Sequence, residues 1–381
     1  MDNYIDYACK SINKYGEELC GDNVEIVKQK DGLILVLADG LGSGVKANIL
    51  ATLTSKIAVT MLKNGLSIEE TIDTITNTLP VCSRRQLAYS TFTIINMKYN
   101  GQVYMIEYEN PSSFFYRKGE ILDLEKIERE VNNKKIRESY FEMVKGDFLI
   151  VVSDGVVHAG VGELLNLGWQ WQNVKEYLKV NLQKNDPVAK ITQDLIKKCQ
   201  ELYNNRAGDD TTVCTIALKE KKYLDLFIGP PKHPKKDHIL FEKFKKSKGY
   251  TVVSGGTTAN IIARELGESV VVDLCNYDRS LPPIGKIKGV NLVTEGLLTL
   301  NKVVEILKND SIENYPKEDG AVKIINIINS CTNITLHLGK AINNAHQNPD
   351  LPEEFNLKAK VVIELKKILL FMGKTVEIEE L

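Results

Sequence analysis

A chain of 381 residues is longer than one comfortable core supports and suits two domains. Its apolar fraction of 43% and charged fraction of 26% are those of an ordinary globular protein. Lysine and arginine total 49 against 50 aspartate and glutamate, so the formal charge of −1 excludes a global field drawing the chain to nucleic acid or an anionic membrane.

The longest apolar runs, such as residues 33–38, are strand-sized and well short of the roughly 20 residues a membrane helix needs. The N-terminal residues lack a basic-then-apolar leader pattern. No membrane and no nucleic-acid partner are therefore expected. Seven cysteines are scattered without CxxC or zinc-ligand spacing. They read as small hydrophobes in a reducing compartment, and the expected location is cytoplasmic.

In chain order, residues 24–29 and 33–39 are β-rich runs joined by Lys30-Asp31-Gly32, a hairpin signal. From Gly44 to Asn64 the period becomes helical, with Ile49, Leu50, Leu53, Ile57 and Met61 in repeat. Ser67 and Glu70 form a capping box opening a second helix, which Pro80 ends. Strands are predicted over 89–97, 103–108, 113–116 and 148–153. Two helices follow, over about 171–182 and 187–203, with Asp186 as cap and Pro187 at the first position of the second. Residues 211–218 form the last strand of a domain covering 1–220. The breaker-rich stretch from Gly229 to Lys236 marks a boundary, and residues 221–381 form a second domain. There, a strand at 223–228, a helix from Asp237, a strand at 250–253, a helix from Thr258, a strand at 269–274, a helix around 295–308 and further helices to about Met372 describe a small α/β unit with a helical tail.

The chemistry lies in aspartates at strand ends. Residues 33–38 run straight into Asp39-Gly40, and 148–153 into Asp154-Gly155. Asp209-Asp210 immediately precedes the strand at 211–218, and Asp22 precedes the strand opposite 33–39 in the hairpin. A glycine after the aspartate lets the backbone turn sharply, so that its carbonyl can face the same point as the carboxylate. One Asp-Gly after a strand is ordinarily just a turn; the recurrence is what carries information. Converging carboxylates repel, on the order of 4 kcal/mol for unit charges about 4 Å apart at an effective dielectric near 20. Such a cluster takes up protons or binds a hard divalent cation, and an oxygen-only donor set favours magnesium or manganese over zinc.

Gly21-Asp22, LVLADGLGSGVKA (35–47), AYSTFTIIN (88–96), YENPSSFFYRKGE (108–120), GDFLIVVSDGV (146–156) and GDDTTVCTIAL (208–218) occur in an order that resembles the metal-dependent protein phosphatase (PPM) family, in its bacterial SpoIIE-like branch. The likeness covers about residues 15–218. It implies an α+β fold, an αββα sandwich of two antiparallel sheets. It further implies a serine/threonine phosphoprotein phosphatase using two divalent ions, Mn2+ or Mg2+. Asp39 matches the bridging ligand, Gly40 supplies a carbonyl, and Asp22 resembles a ligand of the second metal. Asp154 and Asp209 match ligands of the first, and Asp210, at a neighbouring position, ranks below them. Asp39, Asp154 and Asp209 are accordingly the catalytic set. The implied partner is a phosphorylated protein, such as an anti-anti-sigma-type regulator, and the helices at 44–79 are where regulators act in this branch.

Where many family members carry a histidine after the Asp-Gly pair, this chain has Leu41, so the proton donor is unassigned; His158 is a candidate, with a surface-loop histidine as the plainer reading. Arg84 and Arg85 are candidates for phosphate contact, against solvated loop arginines. There is no Cys-x5-Arg loop of the cysteine-phosphatase kind. The segment from Gly40 to Lys46 lacks nucleotide-loop spacing. Trp169 and Trp171 read as packing. In the second domain, Ser254-Gly255-Gly256-Thr257-Thr258 forms a strand–glycine–helix turn that could hold a small anionic ligand, or be only a turn. The rival functions are a catalytically weak metal-binding scaffold and a ligand sensor that uses the phosphatase as output.

Overall fold

A computed structural model describes residues 3–78, 90–132, 134–272, 284–309, 312–341 and 353–381, the last without the side chains of 353–356. The chain divides into two units, Met1–Glu220 and Lys221–Leu381.

The elements of the first unit are β1 (Asn3–Ile12), β2 (Asp22–Lys28), β3 (Gly32–Gly40), α1 (Gly44–Lys63), α2 (Ile68–Thr78), β4 (Ser90–Lys98), β5 (Gln102–Tyr108), β6 (Phe114–Arg117), β7 (Glu120–Leu122), β8 (Ile127–Val131), β9 (Lys134–Glu142), β10 (Phe148–Val152), α3 (Asp154–Val157), α4 (Trp171–Asn181), α5 (Val188–Leu202) and β11 (Thr211–Glu220). They build two sheets, antiparallel throughout, in the orders β2-β3-β4-β5-β9-β8 and β1-β11-β10-β6-β7.

The unbroken apolar run of β3 follows from cover on both faces. Leu33, Leu35 and Leu37 pack between the sheets with Leu149, Val151 and Ile216. The alternate residues Ile34, Val36 and Ala38 pack under Leu50, Ala51, Ala58 and Ile72 of α1 and α2. Ile150 and Val152 of β10 likewise meet Val174, Leu178, Ile191 and Leu195 of α4 and α5. Each fully buried aliphatic side chain contributes roughly 1.5–3 kcal/mol. The product is the four-layer αββα sandwich.

Several local expectations change. In α1 the buried face is Ala47, Leu50, Ala51, Thr54, Ser55, Ala58 and Val59, whereas Ile49 and Leu53 of the predicted repeat are exposed. Small residues win that face because the helix lies close on β3: a β-carbon at Gly40 would come within 2.0 Å of the Ala47 carbonyl oxygen. The capping box forms as a reciprocal pair, with Ser67 N–H donating to Glu70 (2.8 Å) and Glu70 N–H to the Ser67 hydroxyl (3.2 Å). Asp186 does not cap α5. Its carboxylate accepts instead from the Gln183 N–H (3.0 Å) and from Lys190 (2.9 Å). Pro80 lies outside the described residues. β1, β7, β8 and β9 were not expected.

The second unit contains β12 (Tyr223–Ile228), α6 (Asp237–Lys245), β13 (Tyr250–Ser254), α7 (Gly256–Leu266), β14 (Val271–Val272), β15 (Gly285–Lys286), β16 (Leu292–Thr294), α8 (Leu297–Asn309), α9 (Gly320–Ser330), β17 (Asn333–Leu338), α10 (Glu353–Phe371) and β18 (Thr375–Glu380). Its sheet runs β14-β15-β16-β13-β12-β17-β18, with β16, β13, β12, β17 and β18 parallel. β17 interrupts the helical stretch expected up to about Met372, and β18 follows it, paired with β17 along its whole length.

Candidate functional site

Both sheets of the first unit bring strand ends to one edge. β2 opens with Asp22 directly opposite Asp39 of β3. In the other sheet, β10 passes through Ser153 into Asp154 at the start of α3, and Asp209-Asp210 lead into the neighbouring β11. The two ends are tied together: Ser153 N–H donates to the Thr212 carbonyl (3.0 Å), and Thr212 N–H to the Ser153 hydroxyl (2.8 Å).

The carboxyls sense one another. Burial, and then the charges of Asp22, Asp154 and Asp209, push Asp39 up to about 9. Burial also pushes Asp22 up to about 7, with Asp210 and Asp154 adding to it. The Ser153 and Thr212 hydroxyls pull Asp22 the other way, yet neither donates a hydrogen bond of ordinary geometry, and both Asp22 oxygens are buried without a partner. Asp209 is raised by burial and by Asp154.

Asp210, ranked last from the sequence, is only 4% exposed. One of its oxygens accepts the Lys14 N–H (3.0 Å), and the other is buried without a partner. That second oxygen faces Gly21, where a β-carbon would sit 2.7 Å away. The signal for it was present in the doubled acid of Gly208-Asp209-Asp210.

The glycines that follow Asp39 and Asp154 serve contact more than turning, since neither has a positive φ. A β-carbon at Gly155 would lie 2.2 Å from the Asp210 carbonyl oxygen, so glycine lets α3 close on the Asp209-Asp210 segment. The Gly155 carbonyl accepts the Tyr203 hydroxyl at 2.8 Å.

Among the described residues, no three acidic, histidine or cysteine side chains form a finished clasp around one point. The fit to a metal is one of donor chemistry. Hard oxygen donors with unpaired buried lone pairs and mutual repulsion are what a divalent cation relieves. His158 stands on the exposed side of this group, with Nδ1 3.8 Å from an Asp154 oxygen. Asp154 and His158 also line a cavity of about 710 Å3. Arg84 and Arg85 lie outside the described residues. Trp171 stacks on Phe114 (5.0 Å) and donates to the Ser112 carbonyl (2.7 Å), and Trp169 meets Tyr177 edge-on (5.2 Å).

In the second unit, Ser254 ends β13 and Gly255, at φ +122°, turns the chain into α7. Gly255 N–H donates to the Thr294 carbonyl (2.9 Å) and the Ser254 hydroxyl to that of Gly296 (3.1 Å). No side chain caps α7, and the Thr258 hydroxyl is buried without a partner.

Among solved structures, the chain is similar to the PP2C phosphatase domain with a fragment of the regulatory domain of SpoIIE from Bacillus subtilis, at 20% identity over 58% of this chain and 64% of that one, with a TM-score of 0.49. It thus spans less than two thirds of that structure's length. It is also similar to the RsbU and RsbW domains of a Mycobacterium tuberculosis protein, at 13% identity over 64% and 67% of the two chains with a TM-score of 0.48. RsbX solved in complex with magnesium matches at 19% identity over 56% of this chain and 96% of that one, with a TM-score of 0.41. A search of curated proteins gives no match. The family model of stage II sporulation protein E (SpoIIE) matches residues 29–219, which is 191 of the 381 residues and includes Asp39, Asp154, Asp209 and Asp210. The chain belongs to the SpoIIE family of PP2C-type phosphatases.

Proposed function

We propose that the first unit is a metal-dependent phosphatase that removes phosphate from serine or threonine of a protein in bacterial signalling. The observation that carries this reading is the gathering of five aspartates from strand ends of both sheets, with Asp39 pushed up to about 9 by burial and then by its acidic neighbours, and Asp22 left without a hydrogen-bond partner. Asp22, Asp39, Asp154 and Asp209, with the Gly40 carbonyl, would hold two divalent cations. When bound, such ions activate water near neutral pH and offset the charge of a phosphoryl group. Asp39 stands between the acids of the two sheets and ties the set together. Asp210 is itself anchored by its bond to the Lys14 N–H, with its other oxygen turned to Gly21 beside Asp22. His158, exposed and beside Asp154, is placed to hand a proton to a leaving alkoxide. Phosphate-ester hydrolysis is among the slowest uncatalysed reactions, so positioning and charge stabilisation must do most of the work. The SpoIIE family match over residues 29–219 supports a phosphatase, and the oxygen-only donor set supports a hard divalent ion; the substrate we propose is a regulatory protein, such as an anti-anti-sigma-type regulator.

Manganese-dependent hydrolysis of p-nitrophenyl phosphate and of a phosphoserine peptide, abolished by EDTA, is the expected result. Manganese binding without turnover of either would leave the scaffold reading instead.

We further propose that the second unit regulates the first by sensing a small anion at the Ser254–Thr258 turn, on the strength of the uncapped α7 and the unpartnered Thr258 hydroxyl. Calorimetry of the full chain should show a rise in melting temperature with phosphate or a nucleotide; no shift with either would reduce the segment to a turn.

A further inference from the structure

The cavity beside Asp154 is larger than one phosphoryl group requires. At about 710 Å3 it falls in the range of sites for small ligands, roughly 300–1,000 Å3. Asp154 and His158 form one wall. The loop after β5 and the strand β9, carrying Lys135 and Arg137, form others.

Arg137 is held in place before any ligand arrives. Its guanidinium donates to the Asn110 carbonyl (2.7 Å) and to the Ser112 hydroxyl (3.3 Å). It also lies 3.8 Å from the carboxylate of Glu107, its register partner on β5. That carboxylate is already satisfied. Buried at 1% exposure, it accepts from Lys126 (2.5 Å), from the Ser113 N–H (2.7 Å) and from the Ser113 hydroxyl (3.0 Å). Lys126 balances the charge of Glu107, so the charge of Arg137 is left for the cavity. A fixed, planar guanidinium with donors to spare suits a carboxylate, and little side-chain entropy is lost on binding. Lys135 adds a second, exposed cation.

Two acids, Glu109 and Glu128, also line the cavity, and Glu128 is directly across from Arg137 in the β8–β9 ladder. Both are exposed, so their charges are well screened. Screened in this way, they leave the held guanidinium of Arg137 as the contact on which affinity depends.

We propose that this cavity is the subsite for the residues flanking the phosphorylated side chain, and that Arg137, with Lys135 beside it, selects a substrate bearing an acidic side chain next to the phosphoserine. The inference rests on the phosphatase reading, because it seats the phosphoryl group at the aspartates and the neighbouring residue at Arg137.

The test uses the full chain with magnesium and three fluorescent peptides. Each carries a non-hydrolysable phosphonate in place of phosphoserine, flanked on both sides by Asp, Ala or Lys. Anisotropy should show the Asp-flanked peptide binding about tenfold tighter than the Ala-flanked one, with the gap shrinking as salt is raised. Arg137→Gln should abolish the gap, Arg137→Lys should keep part of it, and Arg137→Glu should turn preference to the Lys-flanked peptide. Equal affinities in the unaltered protein, or a preference there for Lys, overturn the proposal without reference to any variant. A preference for Asp that survives Arg137→Gln overturns the role of Arg137. Failure of the phosphatase reading shows separately, as absence of p-nitrophenyl phosphate hydrolysis by the unaltered protein.

Discussion

Asp39→Asn is expected to lower manganese-dependent turnover by on the order of a thousandfold or more, and at the same time to raise the melting temperature of the metal-free protein. The loss of activity follows from position. Asp39 feels Asp22 on its own sheet and Asp154 and Asp209 on the other, and an amide there cannot supply the negative charge that binds a cation. The gain in stability follows from the same crowding. Two like charges about 4 Å apart cost on the order of 4 kcal/mol at an effective dielectric near 20, and proton uptake by Asp39 relieves only part of that at neutral pH. Asn has nearly the same shape and no charge. A gain of about 2 kcal/mol, or about 5 °C for a unit of this size, is the expected scale. Turnover assays and thermal melts after EDTA treatment check both halves. An Asp39→Asn protein that melts below the unaltered one without metal would show that Asp39 is not a repelled carboxylate.

How much of this was legible in the sequence depends on what each segment has to satisfy. The strands β3 and β10 are covered on both faces, so their apolar runs are unbroken, and the aspartates that end them stand out. β1 lies at a sheet edge and breaks its own pattern with Asp6, buried at 6% exposure and held by Lys219 at 2.7 Å. Nothing near Asp6 in sequence announces that partner. β8 and β9 carry charge on an outer part of the other sheet, where Arg129 meets Glu138 across the ladder and Glu69 on α2, and such a run reads as a solvated loop. Arg137 belongs to that run, and its importance comes from an Asn110 carbonyl and a Ser112 hydroxyl more than twenty residues away. The Asp-Gly pairs were read with the wrong backbone reason. Their glycines allow Ala47 and Asp210 to approach, and a close approach, unlike a turn, leaves no local mark. The helical repeat in α1 went astray for a related reason: a helix seated this near its sheet buries alanines, while larger Ile49 and Leu53 point outward.

The second large effect is on the pH dependence of stability without metal. Asp22 and Asp39, ordinarily near 4 in an unfolded chain, are pushed up to about 7 and about 9 in the fold, in each case chiefly by burial. A carboxyl whose folded value is raised binds its proton more tightly when folded. Its contribution is therefore fully present below about pH 4 and is lost as pH rises through the folded value. Paired surface carboxylates act in the opposite sense. Glu69 and Glu242 are lowered, Glu69 by a backbone N–H and Arg129 and Glu242 by Lys245, but both are well exposed, so their weight is small and confined to acid pH. The EDTA-treated protein should consequently melt at steadily lower temperature between about pH 5 and about pH 9. Saturating manganese should reverse the trend, because the ions compete with protons for the same oxygens and gain affinity as pH rises. The two tryptophans, Trp169 and Trp171, both lie in the first unit, so their fluorescence follows its unfolding selectively. Asp39→Asn should flatten the metal-free slope and lose most of the manganese response together. A metal-free melting temperature that stays level or climbs from pH 5 to 9 would mean that these aspartates do not burden the fold, and would remove the physical reason for placing cations among them.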